Sequence, residues 1–300
     1  MATQGNQEIS TSGTASLASE AGSEPKRIYH YTDAAGLLGI VQHRALWATD
    51  VWFMNDSVEA TYGWERIEQF LRSRAAQSSN ERKVADAAAD ILRDLRDREG
   101  NLQSFIACLS ENGDQLSQWR AYGGGRGFSI GFDESALERL ASLVPPPVRF
   151  RVTRVAYEED LQDTLIDLPF RSVVTALPNT VSDDEALQVA STFVTGALGL
   201  APTLKHPAFN EEAEVRLQIF IEPEADAPSI LRFRNSAMGV TPYIEIPLCE
   251  PGTDQITVMS EVIIGPQRHP AEAQRAAKQL LVCNGLGDIE VKLSQVPLRS

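Results

Sequence analysis

Glu212-Ala213-Glu214-Val215-Arg216-Leu217-Gln218-Ile219-Phe220-Ile221-Glu222 alternates polar and apolar side chains over most of its length. A period of two marks a strand, with successive side chains on opposite faces. Extended here, Glu212, Glu214 and Arg216 share one face, and Ala213, Val215 and Leu217 the other. Two carboxylates so close repel, which raises one pKa unless a cation is shared; Arg216 is the nearest candidate. An edge-strand row of charges, or a helix pairing Glu212 with Arg216 at i,i+4, would use the same residues. Downstream, the pattern predicts strands at 229–235, 241–248 and 256–264, a helix at about 270–283 and a last strand at 289–293.

Upstream the character differs. Arg27-Ile28-Tyr29-His30-Tyr31 reads as a short strand, and Thr32 or Asp33 can cap the helix carrying Leu37, Leu38, Ile40 and Val41. Ala45–Ala48 reads as another strand. Asp56 and Glu59 have capping-box spacing for a helix to about Arg74, and Val84, Ala88, Ile91 and Leu95 recur at helical intervals. Strand-like runs follow at 104–109, 127–132 and 148–152, and residues 183–200 read as a helix. Helices early and strands late, without βαβ alternation, predict an α+β fold. The expected architecture is a central, mostly antiparallel sheet, continuous or split, with helices inserted in the N-terminal half and one C-terminal helix.

Residues 1–26 hold almost nothing large and apolar, so a disordered tail is expected there and a single α+β domain over 27–300. A secretion address for an effector is the alternative reading of such a tail. The 27 Lys and Arg against 41 Asp and Glu leave a net charge of −14. That balance argues against a broad duplex nucleic-acid surface, although Arg149, Arg151 and Arg154 cluster locally. No apolar run is long enough for a membrane span, and no signal peptide is evident. Cys108, Cys249 and Cys283 fit no disulfide framework and no zinc spacing, so a reducing, cytoplasmic setting is expected, with no metal.

Three features carry candidate chemistry. His30 lies between two tyrosines, a setting in which a histidine is more often packed than catalytic. Trp119 and Tyr122 precede Gly123, Gly124, Gly125 and Gly127, where a glycine-rich backbone can let a ligand approach. A hairpin loop anchored by the two aromatics is the plainer alternative. The third is the Glu212, Glu214 and Arg216 set.

Tyr29-His30-Tyr31-Thr32, Asn55-Asp56 with Glu59, Leu109-Ser110, Trp119 with Tyr122 and Gly127-Phe128, and Glu212-x-Glu214-x-Arg216 come in an order that resembles a widespread bacterial family. That family is catalogued as a domain of unknown function and has links to abortive-infection systems; the resemblance spans about residues 27–265. More distantly, the chain resembles ADP-ribosyltransferases of the His-Tyr-Glu kind. That likeness implies NAD as substrate, no metal, and an unidentified macromolecular acceptor, in a toxin, effector or phage-defence setting. It implies catalytic roles for Glu214, Glu212 and His30. It also implies a dinucleotide cleft built from His30, Tyr31, Trp119, Tyr122, Gly123 and Arg216. The competing expectation is a module that binds a nucleotide or anion without turning it over.

Overall fold

The computed structural model describes residues 25–54, 57–74, 79–97, 104–123, 127–175, 177, 180–221, 227–236 and 238–297. In chain order these form β1 (Arg27–Thr32), α1 (Ala34–His43), β2 (Ala45–Asp50), α2 (Ser57–Arg74), α3 (Ser79–Asp97) and β3 (Phe105–Ser110). Next come α4 (Leu116–Tyr122), β4 (Phe128–Asp133), α5 (Glu134–Leu143), β5 (Val148–Arg154), α6 (Glu159–Val174) and α7 (Asp183–Leu200). The chain closes with β6 (Glu214–Ile221), a one-turn α8 (Ala227–Ile230), β7 (Arg232–Ser236), β8 (Gly239–Pro247), β9 (Met259–Ile264), α9 (Pro270–Cys283) and β10 (Glu290–Leu293). Among the described residues no helix is long and apolar enough to cross a membrane.

The protein is α+β, built on one ten-stranded sheet that is antiparallel except where β10 runs beside β9. The path β10-β9-β4-β1-β3-β2-β8-β7 carries β6 on β3, and β5 on β6. Strand β3 is the junction. One edge pairs with β6 from Ile106 to Ser110. The other edge is shared: its start pairs with β2 at Phe105 and Ile106, and its end pairs with β1 at Ser110. Between those points β1 and β2 diverge, so the sheet is split along Ala107, Cys108 and Leu109.

The alternation in β6 explains what covers the two faces. Val215, Leu217 and Ile219 enter an apolar core with Ile28, Leu46, Phe105, Leu109 and Ile130, closed by α1, α5 and α9. Glu214, Arg216 and Gln218 face the other way and are buried too. A second core, formed by α2, α3, α6 and α7, lies on that side and includes Ile67, Leu71, Phe170 and Phe193. Phe170 sits edge-on to both Phe70 and Phe193, the arrangement aromatic quadrupoles favour. A strand covered on both faces still alternates, because one face must meet charged partners.

Two expectations need correcting. The strand begins at Glu214 rather than 212, because Pro207–Glu212 forms a 3-10 turn and Ala213 takes a left-handed conformation with φ 43°. Residues 116–122, read as a loop or ligand segment, are a helix: the glycines follow α4 instead of interrupting it. Two helices, α5 and α6, are additions to the sequence pattern; α6 continues through Pro169.

Candidate active site at the sheet split

Where β1 leaves β3, the carbonyl of Cys108 has His30 beside it, with Nδ1 2.8 Å from the oxygen. A carbonyl can only accept, so Nδ1 carries the hydrogen and Nε2 keeps its lone pair. Nε2 has no hydrogen-bond partner among the described residues. Burial lowers the pKa of His30, the Cys108 bond opposes this, and the Arg234 charge lowers it further. The net shift is downward, so the imidazole is neutral at pH 7.

Across β3, Cys108 pairs in register with Arg216, and Ser110 with Glu214. Arg216 grips Glu214 with two bonds, Nε to Oε1 at 2.7 Å and Nη2 to Oε2 at 2.9 Å. Its Nη1 donates to the Pro202 carbonyl. Lys205 joins the two carboxylates, with Nζ 2.6 Å from Glu212 Oε2 and 3.1 Å from Glu214 Oε2. The shared cation is therefore Lys205, and Arg216 serves Glu214. Burial alone would raise the pKa of Glu214, but Arg216 and Lys205 override it and bring it down to about 2. The Glu214 amide is also held, donating to Tyr157 Oη at 2.9 Å.

The two glutamates differ in access. Glu214 is 6% exposed and both its oxygens are engaged. The Glu212 side chain is 22% exposed, and its Oε1 has no partner among the described residues. Tyr122, at the end of α4, is 42% exposed. Its phenol is nevertheless pushed up, first by burial and then by the Cys108 and Glu212 charges. The Cys108 thiol is pushed well up by burial and by Glu214, so it stays protonated and is a poor nucleophile.

Of the residues singled out in the sequence, His30 thus bonds the Cys108 carbonyl, Arg216 lies in register with Cys108, Glu214 is held by Arg216, and Glu212 joins through Lys205. Tyr31, Trp119 and Gly123 have other partners. Tyr31 Oη donates to Asn112 O at 2.7 Å and accepts from Gln115 N at 3.0 Å. Trp119 packs edge-on to Tyr31 at 4.7 Å, and its Nε1 donates to Asp114 Oδ1 at 2.8 Å. These two rings anchor the turn before α4. The Gly123 amide donates to Trp119 O, and a Cβ there would stand 2.6 Å from that oxygen. Close helix packing explains this glycine without a ligand. Gly124, Gly125, Arg126, Asn55 and Asp56 lie outside the described residues, as does the side chain of Glu59.

Two of the three local arginines have internal partners. Arg151 holds Gln218 Oε1 and stacks over Phe220, while Arg154 pairs with Glu111 and Glu134. Sequence reading missed Lys205 and Cys108. Lys205 had one usable signal: it is a solitary charge in the stretch from Ala197 to Phe209, broken otherwise only by His206.

Fold and site together define an α+β protein with a split sheet and a buried carboxylate–cation cluster at the split. Residues 118–217 match the model of a family described as a protein of unknown function (DUF2971). That segment is a third of the chain and runs from α4 into β6, taking in Tyr122, Lys205, Glu212, Glu214 and Arg216. No curated protein and no solved structure matches the chain.

Proposed function

We propose that the region of the sheet split binds NAD and cleaves its nicotinamide–ribose bond, as an ADP-ribosyltransferase-like enzyme does. The observation that carries this reading is the pairing of Glu212 and Glu214 through Lys205, at the start of the strand next to Cys108, whose carbonyl holds a neutral His30 at the split. In the step, the C1′–N bond breaks and its electron pair leaves with nicotinamide, neutralising the ring. The ribose becomes an oxocarbenium ion, which a fixed carboxylate stabilises. Glu212, with an unpartnered oxygen, is the group that meets the ribose. Glu214, held by Arg216 and Lys205, positions that end of the cluster. The acceptor then bonds to C1′, its proton passing to Glu212. His30 Nε2 accepts a ribose hydroxyl, and Tyr122 offers its ring to nicotinamide.

Incubation with NAD, followed by chromatography of released nicotinamide, tests this. Glu212→Gln is expected to cut release by about a hundredfold, the scale of a lost transition-state charge contact, at an unchanged unfolding midpoint. Equal release by wild type and variant would remove Glu212 from the reaction. The His30 lone pair adds a pH dependence. Affinity for NAD should hold through neutral pH and fall below the ordinary imidazole value of about 6.5, as Nε2 takes a proton.

A second reading is favoured by one observation: both oxygens of Glu214 are already taken, which suits a rigid binding floor. On that reading the chain holds a nucleotide without cleaving it. NAD raising the unfolding temperature without nicotinamide release would select it; neither effect would sink both.

A further inference from the structure

On the β2 side of the split lies a cation that the cluster does not use. Arg234, on β7, reaches across β8 to β2, where its Nη2 donates to Thr49 Oγ1 at 2.9 Å. Its Nε is buried and has no hydrogen-bond partner. Among the described residues no carboxylate stands at ion-pair distance from it; burial lowers its pKa, and the more distant Asp33 charge opposes this. The guanidinium carbon stands 6.0 Å from the centre of the Trp47 ring. Trp47 Nε1 is a second buried donor without a partner. Tyr243, in register with Thr49, packs on Trp47 at 4.8 Å and extends the aromatic wall.

Buried N–H groups are almost always bonded, and both the Nε of the half-buried Arg234 and Trp47 Nε1 break that rule. An idle guanidinium Nε–H with the idle Trp47 N–H near it is what an anionic oxygen group satisfies, and Arg is the side chain best shaped to hold phosphate oxygens. The position matters as well, because the Arg234 charge is felt at His30. We propose that Arg234, with Thr49 and Trp47, forms a subsite for a phosphate or diphosphate group of a nucleotide entering the split. The choice of a nucleotide rests on the reading of the cleft given above. The anion subsite does not require the bond to be cleaved.

Titration calorimetry of the full chain with inorganic pyrophosphate, ADP and adenosine tests this, alongside Arg234→Gln, Arg234→Lys and Trp47→Phe. Pyrophosphate and ADP should bind, and adenosine should bind more weakly than ADP. Arg234→Gln should weaken both anions by about ten- to a hundredfold, the range for a lost charged hydrogen-bond donor. Arg234→Lys should recover part of the loss. Trp47→Phe, which keeps the ring and removes the N–H, should show a smaller loss. No pyrophosphate binding by the wild type, or equal binding by Arg234→Gln at an unchanged unfolding midpoint, would overturn the subsite. Arg234-dependent pyrophosphate binding without nicotinamide release would leave the subsite standing and end the cleavage reading. Release with a KM for NAD unaffected by Arg234→Gln would do the reverse.

Discussion

Replacing Glu214 by glutamine is expected to destabilise the protein by about 3–5 kcal/mol, the usual cost of removing one partner from a buried ion pair. Arg216 is 6% exposed and Lys205 3%, so neither can turn to water for compensation. Arg216 would lose both of its bonds to the carboxylate, and Lys205 would lean on Glu212. Denaturant unfolding measures the loss. The paired change Glu214→Leu with Arg216→Met should cost less than Glu214→Gln, because it removes a charge together with its partner. Equal losses would mean that the pair's charge is immaterial.

The same carboxylate makes stability depend on pH. Its folded pKa of about 2 lies below the ordinary 4.5, so the unfolded chain binds the proton first as pH falls. The contribution is complete above 4.5 and is lost as pH drops towards 2; it amounts to something on the order of 3 kcal/mol. His30 works in the same direction at a higher pH. Its lowered pKa means that the unfolded chain protonates first below about 6.5, which favours unfolding there. Unfolding midpoints against pH should therefore slope twice on the acid side, and Glu214→Gln should flatten the lower slope.

Gly63→Ala is the second large effect. Gly63 lies inside α2, and a Cβ there would stand 2.0 Å from the Ala201 carbonyl oxygen and 2.8 Å from its carbon. Both are backbone atoms, so no rotamer change relieves the clash and the helix must retreat. Overpacking of this kind costs about 1–3 kcal/mol, and sometimes more. The turn it strikes, Ala201–Thr203, carries the Pro202 carbonyl that receives Arg216 and the Thr203 carbonyl that receives Ala156 N. The helical layer thus bears directly on the charged cluster, and Gly63→Ala should lower the unfolding midpoint and, on the proposed function, nicotinamide release as well. Gly196→Ala, in α7, is the control. Nothing lies within 4 Å of its Cβ, so the better helix former should be neutral or stabilising by up to about 1 kcal/mol. Two similar midpoints would show that the contact of α2 with the turn is soft.

How much of this was legible differs from element to element. Helix α7 and helix α9 have the bounds that their periodicity predicts, 183–200 and about 270–283. In α7 the start is marked by Ser182 and Glu185, whose reciprocal bonds make a capping box. The strand at β6 was legible from alternation, but its start was not. The left-handed Ala213 that swings Glu212 off the strand follows from a turn begun at Pro207, and alanine signals no such conformation. Helix α4 was obscured because the glycines after it suggested a loop. Helix α6 was obscured by Pro169, which propensity places at a break.

The site was half legible. Residue types named His30, Tyr122, Glu212, Glu214 and Arg216, because carboxylates beside an arginine in an alternating strand, or a histidine between aromatics, stand out locally. Lys205 did not stand out. It lies nine residues before Glu214 and reaches it only because the chain turns back on itself between them. Arg234 lies on β7, and its approach to Thr49 spans 185 residues of sequence.

The amino-acid sequence by itself determined most of the secondary elements, the α+β class and most of the charged residues of the cluster, since period, capping and charge are properties of neighbours along the chain. Only the tertiary structure decided that β1 and β2 share one edge of β3 and part at Cys108. It likewise decided that Lys205 bridges the glutamates and that Arg234 has no carboxylate at ion-pair distance among the described residues. Those outcomes depend on which distant groups compete for the same hydrogen bonds and the same buried volume, and no local pattern encodes that competition.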